Sequence, residues 1–403
     1  MRRLFLGIDF GTGGCKATAV SESGEVVADA SVEYPTEYPR QGWSEQNPSD
    51  WYAAMCRAVA EVGAKGADLS KVAAVSFDGS THNAVLLDGN MSPVRKTIMW
   101  TDQRSVAECE ELRKTCRDEI FSTAYQMPTP TWTLPQMMWL KNNEPEVLKK
   151  TRRVLFVKDY VRYLVTGVAV TDYIEAQGTL FFDMESMSWS ERLVGLSGLD
   201  LASLPEIVKP ADPAGRVTAQ AARDLGIAEG TPVVCGTSDS AVEDYGAGAI
   251  EPGDCILKLA TAGNVNVMTA EPHPFKTTLT YSHVIEGMWY TVSATNAAAL
   301  CQRWFRDAFC DAEKSLAAST GGRAFALMDA LAEKSPVGAN GVMFHPYLQG
   351  ERSPYWDSDL RASFTGISIS STRGDFMRAL LEGVAFSLKD CYGAIEELSL
   401  IHI

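Results

Sequence analysis

No Cys-x-x-Cys pair, no His-Glu-x-x-His and no Gly-Lys dipeptide occurs anywhere in the 403 residues. Each absence removes a chemistry. Zinc sites need clustered Cys and His, and a Walker A loop needs its lysine beside the phosphates. Histidine is scarce, five residues in all and dispersed, so a transition-metal enzyme is not expected. The nine cysteines are odd in number and scattered, which suits reduced thiols buried as small core residues rather than a disulfide framework. Positive charge is in deficit, with 36 Lys and Arg against 51 Asp and Glu, a net charge of −15. Gripping nucleic acid or an anionic membrane surface takes clustered positive charge, so neither is an expected partner. No uncharged apolar stretch reaches membrane-spanning length, and the apolar start of the chain is cut short by Asp9 with no cleavage site after it. The expectation is a cytoplasmic protein. With 46% hydrophobic and 22% charged residues the chain is an ordinary packed one, long enough for two domains.

What is present reads as strands and helices in alternation. Leu4–Asp9, Lys16–Ser21 and Val26–Tyr34 predict a three-stranded meander, its first turn the glycine-rich Gly11-Thr12-Gly13-Gly14. Asn47 and Pro48 open a helix whose apolar face is Trp51, Met55, Ala58, Val59 and Val62. Val72–Phe77 and Ala84–Leu87 are strands. Residues 105–164 are helix-rich, with expected breaks at Pro128, Pro130 and Pro135. Val233–Cys235 leads into Gly236-Thr237-Ser238-Asp239, and Cys255–Leu259 into Ala260-Thr261-Ala262-Gly263. A strand, a small-residue turn around threonine and a second strand thus occur twice, an echo that suggests two related domains. The last helix carries Phe376, Leu380, Val384, Leu388, Cys391, Ile395 and Leu398 at steps of three and four, opened by a Thr372–Asp375 capping box.

Several constellations could carry chemistry. Asp9 ends a buried strand and is followed by a turn whose glycines let backbone N–H groups approach phosphate oxygens, which suits magnesium beside a phosphate. The plain alternative is a hairpin whose glycines adopt positive φ. Asp239, just past an apolar strand, could accept the proton of an attacking hydroxyl, or could be a helix N-cap. Thr261 could meet a second phosphate, or sit in an ordinary turn. The segments Asp78–Asn83 and Trp100–Arg104 lie at strand ends and mix groups suited to hydroxyl-rich ligands, though each could be a satisfied surface turn. The stretch Phe344–Pro354 reads either as the rim of a site or as a structural crossover.

Together these motifs resemble the FGGY carbohydrate kinases, closest to the xylulokinase branch. The resemblance runs along the chain through Gly7–Thr12, Trp43–Gln46, Thr81-His82, Trp100–Arg104, Lys158-Asp159, Gly236–Asp239 and Tyr347–Pro354. It implies an α/β fold of two ribonuclease-H-like, actin-like ATPase domains around a central cleft, here residues 1–246 for sugar and 247–403 for nucleotide. It implies transfer of the γ-phosphoryl group of ATP, with Mg2+, to a terminal hydroxyl. The ketopentose D-xylulose is the first candidate, and ribulose, gluconate, glycerol or another polyol the alternatives. On the matching positions Asp239 is the general base and Asp9 the magnesium-associated carboxylate. Thr12, Gly13, Gly14 and Lys16 belong to the first phosphate turn, and Thr261 and Gly263 to the second. Thr81, His82, Asp102 and Asp239 are the sugar contacts. A homodimer is compatible with the resemblance.

The chain also departs from the pattern. Ala260 and Ala262 flank Thr261 where the second turn usually reads Gly-Thr-Ser-Gly, and Ser80, Thr81 and Asn83 replace the common neighbours of the histidine. The family continues past the last helix, whereas this sequence stops at Leu400-Ile401-His402-Ile403. The second domain is therefore expected to be incomplete, the last helix partly uncovered, and ATP turnover by residues 1–403 weak or absent. A non-catalytic sugar-binding remnant is the second reading, and an actin-like or heat-shock-type ATPase the third.

Overall fold

The computed structural model describes residues 3–357 and 359–397. Leu398 and the tail Leu400–Ile403 lie outside the described residues. The chain divides into two units, Met1–Gly246 with Ser282–Glu286, and Ala247–Tyr281 with Gly287–Ile403.

In the first unit β1 (Leu4–Gly11), β2 (Gly14–Ser21) and β3 (Val26–Glu33) form the expected meander. Leu4, Leu6, Ile8 and Phe10 are buried on one face of β1, which turns Asp9 to the other. Helix α1 (Pro48–Ala64) packs on β2 and β3, capped by the Asn47 side chain accepting the Ser49 N–H. It buries Trp51, Met55, Ala58, Val59 and Val62 completely, at about 2 kcal/mol for each large apolar side chain removed from water. Strand β4 (Val72–Gly79) runs parallel to β1 and extends the sheet on its far side. Beyond it come β5 (Pro213–Arg216) and β6 (Pro232–Val234), in the order β5-β6-β4-β1-β2-β3. The two-residue strand β7 (Thr237–Ser238) also pairs β4 in parallel and leads directly into α5 (Asp239–Gly246).

The helical middle differs from expectation at one proline. Pro135 does not break a helix but sits in the first turn of α2 (Thr133–Asn143). The first turn has N–H groups without intrahelical partners, so proline costs no hydrogen bond there. Two further helices matter below, α3 (Val157–Thr166) and the single-turn α4 (Tyr173–Gln177).

The second unit carries β8 (Cys255–Leu259), β9 (Gly263–Thr269), β10 (Leu279–Ser282) and β11 (Trp289–Thr295) in the order β8-β9-β11-β10. Helix α6 (Ala299–Phe309) follows, and α7 (Arg373–Glu396) opens on the full Thr372–Asp375 capping box. Val384 and Leu388 of α7 pack with Val265 and Val267 of β9. Between the edge strand β8 and α7 lies a groove of about 600 Å³, lined by Leu257, Leu259, Leu381 and Val384 among others. Leu257 and Leu259 are 61% and 67% exposed. The segment Phe344–Pro354 is latched inside this unit: Glu351 accepts hydrogen bonds from Thr295 Oγ1 and the Asn296 N–H, and the Ser353 N–H donates to Ala294. None of the nine cysteines is held in a disulfide, and only Cys255 is exposed.

Candidate active site

Three parallel strand ends bring the acidic residues of the first unit together. Asp9 on β1 stands in register with Asp78 on β4, and Asp78 in register with Thr237 on β7. Registered residues of parallel neighbours share a face, so the two carboxylates lie side by side, opposite the face that buries Ile8 and Phe77. Asp239 follows β7 as the first residue of α5, where its carboxylate accepts the Ser240 N–H at 2.6 Å. The positive end of the helix favours that negative charge. The Ser238 hydroxyl, not Asp239, accepts the N–H of Ala241, so Asp239 is not the residue that caps the first turn.

The crowding shows in Asp78. Burial pushes its carboxyl well above the ordinary range, and the charge of Asp9, a hydrogen bond to Asp9 and the charges of Asp239 and Glu243 push it further. Four carboxylates converge where the sequence motifs supplied two. Asp78 was legible only as part of a polar loop, and the strand register alone makes it a neighbour of Asp9.

The glycine turn after β1 is held by side chains. The Gln46 amide donates to the Thr12 carbonyl at 2.7 Å, and the Trp100 indole N–H donates to the Thr12 hydroxyl at 3.0 Å. Tyr34 donates its hydroxyl to the Gly11 carbonyl. None of Gly11, Gly13 and Gly14 has positive φ, so left-handed turn geometry does not explain them. At Gly14 the reason is space: a Cβ would lie 2.8 Å from the Val32 carbonyl oxygen. Gly13 is exposed with nothing within 4 Å of a Cβ, and Lys16 is exposed on β2 opposite Asp9.

Thr81 and His82 follow β4. His82 is a left-handed non-glycine residue with φ of 55°. Its ring packs against Trp132, centroids 5.0 Å apart, and burial pushes its pKa down to about 3, leaving a neutral imidazole. Asp102 is buried, and both of its oxygens are engaged. It accepts the Ser44 N–H at 2.6 Å and the Arg104 N–H, Nε and Nη2 at 2.8 to 2.9 Å. Arg104 in turn stacks on Trp43 and pairs with Glu45. Asp102, expected among the sugar contacts, also anchors its own loop.

A buried polar network completes this unit, and of its charged residues the motifs name only Lys158 and Asp159. Lys158 pairs with Asp159 at 2.6 Å and with Asp172 at 2.7 Å. Asp172 caps α4 through the N–H groups of Ile174 and Glu175, and accepts the Thr237 hydroxyl at 2.6 Å. Arg162 joins Asp159 to the Cys235 carbonyl. Asp172 with Glu175 three residues on is a capping-box pattern, the one signal that could have drawn attention here.

In the second unit the Thr261 turn is built differently. Its carbonyls at Ala260 and Thr261 accept the N–H groups of Ala298, Ala299 and Leu300 at the start of α6. Arg303 donates to the exposed Thr261 hydroxyl at 2.7 Å. Gly263 is required by packing, since a Cβ would lie 2.8 Å from Leu388 Cδ2 and 2.9 Å from Thr295 Cγ2.

Residues 4–246 match the N-terminal domain, and residues 258–403 the C-terminal domain, of the FGGY family of carbohydrate kinases. A xylulose kinase of Lactococcus lactis is 32% identical over 396 residues, 97% of this chain and 77% of that protein. A gluconokinase of Bacillus subtilis is 27% identical, covering 98% of this chain and 78% of that protein. The crystal structure of a xylulose kinase from Rhodospirillum rubrum superposes with a TM-score of 0.89 at 29% identity, over 99% of this chain and 80% of that one.

Proposed function

The chain belongs to the FGGY family of carbohydrate kinases, with the two-domain actin-like kinase fold, and from that premise we propose that it phosphorylates a terminal hydroxyl of D-xylulose at the expense of ATP. The observation that carries the reading is the placement of Asp239 at the head of α5, one residue past the strand that pairs with the Asp78 strand. There Asp239 takes the proton of the sugar hydroxyl as that oxygen attacks the γ-phosphorus, and ADP leaves. Thr12, Gly13, Gly14 and Lys16 belong to the first phosphate turn, and Thr261 and Gly263 to the second. Residues 1–246 bind the sugar and the remainder the nucleotide.

Among the described residues no group of three or more His, Cys, Asp or Glu side chains could hold a metal ion by itself. That fits magnesium, a hard cation content with one or two carboxylates when phosphate and water complete its shell. Asp9, with Asp78 beside it, offers those oxygens. The bound cation would neutralise charge on the phosphates, and the chain's own part is to hold the carboxylates in register.

The acceptor loop favours a neutral sugar. Its imidazole is uncharged, and Arg104 is committed to Asp102 and Glu45, so a carboxylate-bearing acceptor gains no cation from these segments. The likeness to gluconokinases makes gluconate the competing acceptor. ADP release measured across D-xylulose, D-ribulose, gluconate and glycerol, with and without magnesium, tests the reading. Turnover confined to gluconate would sink the ketopentose assignment, and sugar-independent ATP hydrolysis would sink the kinase assignment.

A further inference from the structure

We propose that Glu175 is a positioning residue for the sugar-binding loop, holding the backbone of His82 in its left-handed conformation. This rests on the reading of Thr81 and His82 as the segment that meets the acceptor. A side chain with a Cβ rarely adopts φ of 55°, so neighbours must hold it there. Two helices do so. The Glu175 carboxylate accepts the His82 N–H at 2.5 Å, and the Thr133 hydroxyl donates to the His82 carbonyl at 2.7 Å. Both peptide groups flanking the strained residue are therefore gripped by side chains.

The use made of Glu175 is unusual for its position. Three residues after the N-cap Asp172, its carboxylate would ordinarily return to the cap's own N–H and complete a capping box. It reaches across to the His82 loop instead, and it does so from a site only 1% exposed. Burying a carboxyl is costly, and an apolar side chain would fill the space more cheaply if filling were the only requirement. The next turn confirms how closely α4 is fitted to the loop. A Cβ on Gly178 would lie 2.8 Å from His82 Cδ2 and 2.9 Å from Thr81 Cγ2. Because Asp172 also receives the Thr237 hydroxyl, the same short helix ties the His82 loop to the strand that delivers Asp239.

The test uses the full 403-residue chain with Glu175→Gln, Glu175→Ala and Gly178→Ala. Three quantities are read: amide hydrogen exchange in peptides covering His82, the D-xylulose dissociation constant by calorimetry, and the unfolding midpoint. Glu175→Ala should speed exchange at His82 and weaken sugar binding about tenfold, the effect of one lost hydrogen bond. Glu175→Gln keeps an acceptor oxygen and should restore both to within about threefold. Gly178→Ala should push the His82 loop away from Glu175, speeding exchange at His82 and weakening sugar binding. Unchanged exchange at His82 in Glu175→Ala overturns the proposal, as does failure of Gln to rescue. Should Glu175→Ala fail to fold, exchange in the other two variants decides: wild-type rates in Gln with faster rates in Gly178→Ala support it, and the reverse overturns it. A wild-type chain that binds none of the panel sugars would defeat the functional reading, while exchange at His82 would still show whether Glu175 holds that residue.

Discussion

The two threonine turns look alike in sequence and are opposites in charge. The Thr12 turn lies beside Asp9, whose strand neighbour Asp78 feels three other carboxylates, and its own oxygens are held by the Gln46 and Trp100 side chains. The Thr261 turn has its carbonyls satisfied by the head of a helix and its hydroxyl held by a guanidinium. One turn is an anion-rich place that a cation would relieve. Beside the other stand the head of a helix and a guanidinium, both favourable to negative charge. In the first turn Gly14 must let the Val32 carbonyl approach.

The comparison breaks most visibly at Asp239. If chemistry belongs to the anion-rich side, Asp239→Asn should slow sugar-dependent ADP release about a thousandfold and leave calorimetric sugar affinity within about threefold. A rate near wild type would remove Asp239 from the base role. Next in size is Gly14→Ala, which should cost about 2 kcal/mol because the obstacle is backbone oxygen, read as a fall of roughly 5 °C in Tm. Ala262→Gly, at the position that Gly13 holds in the first turn, should shift Tm by no more than about 1 °C. A Gly14→Ala shift equally small would mean that the Val32 carbonyl does not constrain the first turn. Thr261→Val should raise the KM for ATP about fivefold with the sugar KM unchanged, since only one hydroxyl is lost.

The remaining effect is a pH dependence. Because the Asp78 carboxyl is raised, the folded chain holds a proton there that the unfolded chain releases above its ordinary value of 3.8. Stability from this group is present at acid pH and is lost as pH rises. Asp78→Asn should therefore raise Tm by about 3 °C at pH 8 and by less at pH 5. His82 acts with the opposite sign. Its depressed value means the unfolded chain takes up a proton between pH 6.5 and about 3 that the folded chain refuses, so stability falls as pH drops through that window. A Tm profile for Asp78→Asn parallel to wild type at every pH would show that the Asp78 carboxyl is not raised in the folded chain.

Local pattern carried much of this molecule. Alternation in β1, the Asn47-Pro48 start of α1 and the Thr372–Asp375 box are short-range signals, and each names its element without reference to anything distant. The glycine turns and Asp239 were legible for the same reason. Pro135 was misjudged because one proline has opposite meanings in a helix's interior and its first turn, and the boundary depends on what packs beyond it. Asp102 is a loop residue as expected, but its engagement with Ser44 depends on a segment far away in sequence.

The sequence by itself determined which elements form, where the glycine turns fall, and that acidic residues stand at strand ends, because those features follow from periodicity, capping and turn chemistry within a few residues. Only the tertiary structure decided that Asp78 stands beside Asp9, and that Glu175 serves His82 rather than its own helix. Strand register and the reach of a buried side chain are settled by packing between segments far apart along the chain, and no local pattern encodes them.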